Sequence, residues 1–237
     1  MTFDLSPEDA AARARARAFA TTDIRPHADA IDRSAEIPDA LVRGAGAVLA
    51  LADPVSMIVT VEELAAASGA VALAAAVPSS TGGRLDLAGV RGAPATDDTP
   101  RSHLVLAAVA LGLGRAALES ALAMLKEATA TRGRESDAPH WVVADVATEL
   151  DGARLLLFEA AQTEGRENGP AHIALARLMA SAAASRAVDA AVRIAGAGGY
   201  QPGSLLERLA RDVRAVGVVL GTEERQRTQA AEGILPQ

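Results

Sequence analysis

The chain has 237 residues, of which 50% are hydrophobic and 2% aromatic, with a formal net charge of −7 and no cysteine. The lack of cysteine excludes disulfides, a thiolate nucleophile and cysteine-ligated zinc, and the acidic balance without a basic run excludes a typical nucleic-acid-binding protein. Because alanine is abundant and β-branched or aromatic runs are scarce, the composition favours an all-α fold with closely approaching helices.

Two segments bear on export and membranes. The N-terminus from Met1 to Asp9 is acidic, whereas a signal peptide begins basic and then becomes apolar. The longest apolar run, from Leu64 to Val77, has 14 residues and is interrupted by serine and glycine, so it is too short to span a bilayer. We therefore expect a cytoplasmic protein without a membrane partner.

Helix signals in the first third of the chain predict three helices. Ser6 is a favourable cap and Pro7 a favourable first residue, whereas Pro26 interrupts the helical pattern. The predicted bounds are 7 to about 20, 38 to about 46, and 55 to 77. After them, residues 78–101 are rich in glycine, proline and small polar residues without a clear period, which predicts a loop or linker.

The rest of the chain has helix-length apolar patterns with short links, which predict an antiparallel bundle. Ser102 is the predicted cap of the first bundle helix, and Ser204 with Glu207 forms a capping box for a shorter one. The predicted bounds of the long helices are 102–131, 139–165 and 170–194. The chain thus divides into an N-terminal helical region (1–80), a linker (81–101) and a C-terminal helical bundle (102–237).

Three consecutive motifs resemble the C-terminal signature of acyl-CoA dehydrogenases, IHGGxGY, ERLYRD and YEGTxEIQR, without a gap between them. They are Ala195-Gly-Ala-Gly-Gly-Tyr200, Leu206-Glu-Arg-Leu-Ala-Arg-Asp212 and Leu220-Gly-Thr-Glu-Glu-Arg-Gln-Arg227. Earlier segments are similar to the same family, namely 19–42, 61–80, 107–112 and 144–154. The resemblance implies an N-terminal helical region and a C-terminal four-helix bundle. The family's β-domain, of about 100 residues, is missing, because only 78–101 occupies its place.

The resemblance also implies that the catalytic positions are empty. The usual base of the family is the glutamate of YEGT, which is Leu220 here, and some relatives carry it at the position of Ser102. An arginine associated with the acyl-CoA site falls at His103, which is the substrate-side residue that the resemblance implies. A leucine cannot remove a proton from an α-carbon. The resemblance therefore implies descent from this family but no catalytic residue in this chain.

The cofactor positions are only partly retained. The RxxFG motif, whose arginine meets flavin phosphates, falls at 128–132 without its first Arg or its Phe-Gly, although Arg132 and Arg134 lie nearby. A family glutamine falls at Asp137, an anion that would repel a pyrophosphate. Four residues match flavin-contacting positions: Gly196, Gly199, Thr222 and Glu224. Their alternative interpretation is structural, because glycines end helices and Thr222 with Glu224 can cap the next helix.

Three other residue patterns give only weak evidence for a functional site. The Gly112–Ala117 segment matches a dinucleotide fingerprint but follows no strand, so small residues for helix contact explain it better. Glu62 and Glu63 are interpreted as a pair on a helix face, one of them solvated and neither with a catalytic partner. The histidines form no i, i+4 pair or ligand cluster, which predicts no metal site and surface or capping roles: His27, His103, His140 and His172.

These observations lead to three hypotheses. The first is a degenerate acyl-CoA dehydrogenase-like protein that has no dehydrogenase activity alone and binds no cofactor. It would serve as a binding or scaffold subunit with an acyl thioester as a possible ligand, and it would associate with a second copy of itself or with an intact relative. The alternative is an FAD-dependent oxidoreductase that completes its site with a partner subunit. The third is a flavin-free helical enzyme that uses a repurposed cavity.

An oligomer is expected through helices 103–131 and 171–194, as the resemblance also implies. Apolar residues of the first helix cannot share one stripe and must be covered on several sides: Leu104, Leu106, Val109, Leu111 and Leu113. The alternative is that the helix at 55–77 covers them within a monomer.

Overall fold

The computed structural model describes residues 5–49, 53–77, 99–132 and 137–235, except for the side chain of Arg132. Helices occupy most of these residues, and no strand occurs among them. The predicted all-α fold without a β-domain is confirmed. The described part of the predicted linker is only 99–101, and residues 78–98 lie outside the description.

The described N-terminal helices are α1 (Pro7–Phe19), α2 (Ala28–Ser34), α3 (Asp39–Val48), α4 (Pro54–Ala67) and α5 (Gly69–Ala76). The first begins as predicted, because the Ser6 hydroxyl oxygen accepts a 3.1 Å hydrogen bond from the backbone N–H of Asp9. Between α1 and α2, a π-helical turn and a 3₁₀ turn replace regular helix around Pro26, which has no N–H to donate.

The predicted single helix over 55–77 is wrong. Ser68 has an extended backbone, with φ −159° and ψ 115°, and divides the segment into α4 and α5. Its hydroxyl oxygen accepts a 3.4 Å hydrogen bond from the N–H of Val71 and so caps α5. The serine that looked like a minor interruption of an apolar run is therefore a helix start.

The C-terminal part consists of α6 (Pro100–Arg132), α7 (Ala138–Gln162), α8 (Gly169–Ala195), α9 (Leu205–Val218) and α10 (Glu223–Ile234). The Ser204 cap is confirmed, since its hydroxyl accepts a bond from the N–H of Glu207. The second bond of the predicted capping box is not formed, because the Ser204 N–H donates to the Gln201 carbonyl and the Glu207 carboxylate pairs with Arg211. Ser102 is not a cap, because α6 has already begun. Its N–H donates instead to the Thr99 hydroxyl, which takes the capping role.

The centre of the fold is the first half of α6. Helices α4 and α5 contact it on one side, and α7, α8 and α9 on others. At Gly112 a Cβ atom would lie 2.5 Å from the Glu62 carbonyl oxygen, and at Gly114 it would lie 2.9 Å from Ala184 Cα. The fingerprint-like glycines therefore serve helix contact, as the sequence indicated.

The apolar first half of α6 is buried within the fold. Its apolar residues from Leu104 to Leu113 are covered within one chain, as the monomer alternative predicted, so they give no reason for an oligomer. Among the described residues, α6 is the one helix apolar and long enough to span a membrane, with mean hydropathy 1.6, but 78% of that window is buried inside the fold. Its composition is that of a core helix.

Candidate functional site

The segment between α9 and α10 holds the position of the family's catalytic base. Leu220 lies there half-buried, and its backbone is left-handed, with φ 57°. A left-handed backbone costs a residue with a side chain about 1–2 kcal/mol. Such strain persists only where the surroundings fix it, and here the fixing group comes from α8.

Arg177 is that group, a buried side chain of α8 that is 2% exposed. Its guanidinium donates hydrogen bonds to three consecutive carbonyl oxygens, those of Val219, Leu220 (3.4 Å) and Gly221 (3.2 Å). A cation is well placed beside carbonyls that follow the C-terminus of a helix. Arg177 therefore closes the backbone around the base position.

The same guanidinium reaches His103 on α6, with 2.5 Å between Arg177 Nη1 and His103 Nδ1. Arginine has only donors, so Nδ1 of His103 must accept, and the ring is not the cation that an arginine would be there. His103 is buried, and the prediction of a surface or capping role for it is wrong. The structure thus joins Leu220 and His103 through Arg177, which the sequence did not single out.

The glycine turn after α8 is a 3₁₀ turn, Gly196–Tyr200. Gly196 has φ 63°, and Gly199 is buried so tightly that a Cβ would lie 3.0 Å from Ala195 Cβ. The carbonyl of Gly199 also accepts a bond from the Ser204 hydroxyl that caps α9. These contacts give the two glycines structural roles, while at Gly196 and Gly198 a Cβ would meet no atom within 4 Å.

Thr222 and Glu224 interact with each other at the start of α10. A hydrogen bond from the Thr222 hydroxyl holds the pKa of the exposed Glu224 carboxyl below its usual value. Thr222 is the residue that precedes α10, but its side chain makes no capping bond to the helix backbone. The interpretation of Thr222 and Glu224 as residues at a helix start is thus correct, but the predicted capping bond from the Thr222 side chain is wrong.

Gln226, on the buried side of α10, has no hydrogen-bond partner for either side-chain amide atom among the described residues. Its Nε2 atom would lie 3.7 Å from a Cβ on Gly221, beside the base position. A buried amide without a partner costs about 1–3 kcal/mol. The glutamine belongs to the third signature motif, and sequence reasoning gave it no role.

A second cluster was missed at Glu62 and Glu63 on α4, which are 3% and 4% exposed rather than solvated. Arg154 Nη2 on α7 lies 2.8 Å from Glu62 Oε1, and Arg115 Nη2 on α6 lies 2.9 Å from Glu63 Oε2. The available signal was the placement of two acids inside an apolar run. Buried charges need partners, and the arginines supply them.

On α1, Arg13 and Arg17 also donate to Glu63, at 2.8 and 2.9 Å. Burial acts most strongly on Glu63 and would raise its pKa, but the bonds from Arg17 and Arg13 and the charge of Arg115 together hold the pKa below its usual value. Arg13 and Arg17 are four residues apart on α1 and therefore meet one carboxylate. No catalytic residue is implied, because every carboxylate oxygen is engaged in an ion pair.

Other predicted site residues lie elsewhere or outside the description. The side chain of Arg132 and all of Arg134 are outside it, and Asp137 immediately precedes α7. Within the described ranges, no three His, Asp or Glu side chains lie close enough together to hold a metal ion.

Comparisons with known proteins agree with this geometry. The family model of the acyl-CoA dehydrogenase C-terminal domain matches residues 97–235. A 3-sulfinopropanoyl-CoA desulfinase of Advenella mimigardefordensis is 34% identical over 130 residues, which are 54% of this chain and 32% of that protein. The chain thus matches about a third of the length of that relative.

Solved structures share the fold at low sequence identity. Butyryl-CoA dehydrogenase of Megasphaera elsdenii gives a TM-score of 0.79 at 16% identity, with all of both chains covered. A glutaryl-CoA dehydrogenase of Mycobacterium smegmatis, solved with FADH2, gives 0.80 at 13% identity and covers 98% of this chain and 96% of that one. The fold defines a helical protein with the architecture of these acyl-CoA dehydrogenases. The chain belongs to the acyl-CoA dehydrogenase family.

The described residues do not fit the FAD that the family implies. The resemblance places Asp137, whose carboxylate would repel a pyrophosphate, where the family carries a glutamine. Thr222 and Glu224, which match flavin-contacting positions, are bonded to each other. Nearby, Arg177 donates hydrogen bonds to the carbonyl oxygens of Leu220 and Gly221 around the base position.

Proposed function

We propose that this chain is a non-catalytic member of the acyl-CoA dehydrogenase family that acts as a binding or scaffold subunit. The observation that carries the proposal is the base position, where Leu220 replaces a carboxylate and Arg177 holds the surrounding carbonyls. Removal of an α-proton needs a base within hydrogen-bond reach of the substrate. Neither Leu220 nor Ser102 supplies one.

The substrate side supports the same proposal. His103 accepts a hydrogen bond from Arg177 and so does not supply the fixed positive charge of an arginine. Relatives are named for acyl-CoA substrates, so an acyl thioester is the ligand class that we propose to test. We propose that the subunit associates with itself or with an intact relative.

Flavin content tests the proposal directly. We expect the purified, desalted protein to show no flavin absorbance, because the RxxFG motif is not retained at 128–132 and Thr222 and Glu224 bond to each other. As a control, an intact family member purified in parallel should retain its flavin. About one flavin per chain would contradict the proposal and support the oxidoreductase alternative.

The alternative, an FAD-dependent oxidoreductase completed by a partner, is favoured by one observation. Gln226 has a buried amide without a described partner, and the neighbouring Gly221 is free of a side chain. A ligand group from a completed site would satisfy that amide. Mixing the chain with an intact relative in the presence of FAD tests it: flavin retained above the amount that the relative binds alone would support this function.

A further inference from the structure

A small pocket lies between α2 and the segment that leads into α3. Its volume is about 220 Å³, which is below the roughly 300–1,000 Å³ of pockets for drug-sized ligands. Most of the lining is apolar, and two lining side chains are ionisable: Ala30, Ile31, Ile37 and Pro38 are the apolar residues, and His27 and Glu36 the ionisable ones. The pocket therefore has the size and lining for a ligand with a short apolar chain and one polar group.

The backbone after α2 forms one side of this pocket. Ala35 has a left-handed backbone, with φ 53°, a conformation that ends a helix and turns the chain. The Ser34 hydroxyl, which also lines the pocket, accepts a 3.2 Å hydrogen bond from the N–H of Glu36. The turn is thus fixed by contacts within a few residues, and the pocket is formed before a ligand arrives.

His27 supplies a hydrogen-bond acceptor at the pocket. Its Nδ1 atom lies 2.8 Å from the backbone carbonyl oxygen of Asp23, and a carbonyl oxygen can only accept. Nδ1 therefore holds the proton, which leaves Nε2 of the neutral ring as an acceptor. Within the described ranges, neither Nε2 of His27 nor the carboxylate of Glu36 has a bonding partner.

These two acceptors decide the chemistry of the polar group. A carboxylate or phosphate would be repelled by Glu36, whereas a primary ammonium has three N–H donors and a positive charge. The nearby arginines of α9 do not neutralise Glu36, because Arg208 and Arg211 pair with other acids. A metal ion would find only two side-chain ligands, since no group of three lies close together in the described part of the chain.

We propose that this pocket binds a primary ammonium group on a short aliphatic chain. The ammonium donates to His27 Nε2 and to the Glu36 carboxylate, and the chain packs against Ile31 and Ile37. This chemistry is shared by a free alkylamine and by the lysine side chain of a partner protein. The inference goes beyond the proposed function, because the pocket uses no residue of the acyl-CoA site.

Histidine NMR signals test the pocket directly, because the chain has only four histidines and His27→Gln identifies the signal of His27. We expect n-pentylammonium to shift this signal to saturation with a Kd of about 1–10 mM, because so small a ligand has few atoms to contribute. At constant pH and ionic strength, His172 on α8 should stay unchanged. We expect n-pentanol, which lacks the charge, to bind more weakly. No saturable shift of His27, or equal binding of n-pentanol, would overturn the proposal.

Variants test the assigned contacts. We expect Ala30→Phe to abolish binding by filling the pocket from an exposed position of α2. We expect Glu36→Gln to weaken binding about three-fold, as for an exposed ion pair. The matched control is Asp39→Asn, at an exposed acid in the first turn of α3 that does not line the pocket. Wild-type affinity in Ala30→Phe, or equal effects of Glu36→Gln and Asp39→Asn, would contradict the assignment. Glu36→Gln keeps the test valid if Ala30→Phe does not fold.

A second ligand distinguishes the two sources of the ammonium. N-acetyl-lysine amide carries the lysine side chain with its backbone, and its titration is compared with that of n-pentylammonium. Tighter binding of the lysine derivative would support a partner protein as the source, and weaker binding would support a free alkylamine. A His27 signal that responds to neither ligand would reject the pocket and leave the proposed subunit function standing, since flavin content tests that function separately.

Discussion

Asp212 on α9 shows how a single residue links pH to stability. It is partly buried, with Oδ2 3.5 Å from the position of a Cβ on Gly69 at the start of α5. Burial raises the pKa of Asp212 to about 6, although the charges of Arg208 and Arg211 oppose the shift. The folded state therefore binds this proton more tightly than the unfolded state. The contribution of the protonated Asp212 carboxyl to the free energy of unfolding is fully present below about pH 4 and is lost as the pH rises through about 6.

We expect Asp212→Asn to be more stable than the wild type at about pH 7.5, by up to about 3 kcal/mol, and the difference to shrink near pH 4. Urea unfolding at both pH values measures it. Asp189→Asn, at an exposed carboxylate of α8, is the control and should change little. Lower stability of Asp212→Asn at the higher pH would show that Arg208 holds the ionised carboxylate favourably.

At the scale of elements, Glu62 and Glu63 join helices from both halves of the chain. They bring α4 together with α1 through Arg13 and Arg17, and with the bundle through Arg115 and Arg154. Removing one partner of a buried ion pair leaves the other charge without compensation. The cluster therefore holds the N-terminal helices to α6 and α7.

We expect Glu63→Gln to destabilise the fold by about 3 kcal/mol, the low end for buried pairs because Arg13 and Arg17 are about half exposed. Glu119→Gln is the matched control, since Glu119 is exposed and pairs with the same Arg115, and it should cost under about 0.5 kcal/mol. Denaturant unfolding compares the two. Equal effects would show that the buried carboxylate contributes no more than a surface pair.

The whole molecule combines an intact helical fold with an altered site. The helical fold of the family forms without a strand in the described residues, because α4 and α5 cover α6 within the chain. At the base position the chain carries Leu220, and Arg177 from α8 donates hydrogen bonds to the surrounding carbonyls. We therefore expect that one restored carboxylate does not restore the site.

We expect Leu220→Glu to give no turnover of acyl-CoA with an artificial electron acceptor. The new carboxylate would be half-buried in a strained backbone, at a cost unless it is paired, and no hydride acceptor is provided. Val218→Glu, at an exposed neighbour, controls for the added charge. Measurable turnover by Leu220→Glu alone would show that a working flavin site exists.

The sequence by itself determined the all-α fold, the three long helices of the C-terminal bundle and the family, but not α2 (Ala28–Ser34) or the division between α4 and α5. Caps such as Ser6 and Ser204 act within three residues of themselves, so local order predicts them. The motif positions likewise identified Leu220 and His103 as replaced residues. The helix boundary at Ser68 was not predicted, because a single extended residue leaves the apolar pattern on both sides unchanged.

Only the tertiary structure decided what those residues contact. Arg177 lies 74 residues from His103 and 43 from Leu220, and Arg154 lies 92 residues from Glu62. Partners at such separations are chosen by how whole helices pack, and the alanine-rich faces that set this packing look alike in the sequence. The family could therefore be identified from the sequence, while the contacts of Arg177 around the base position depended on the packing of the bundle.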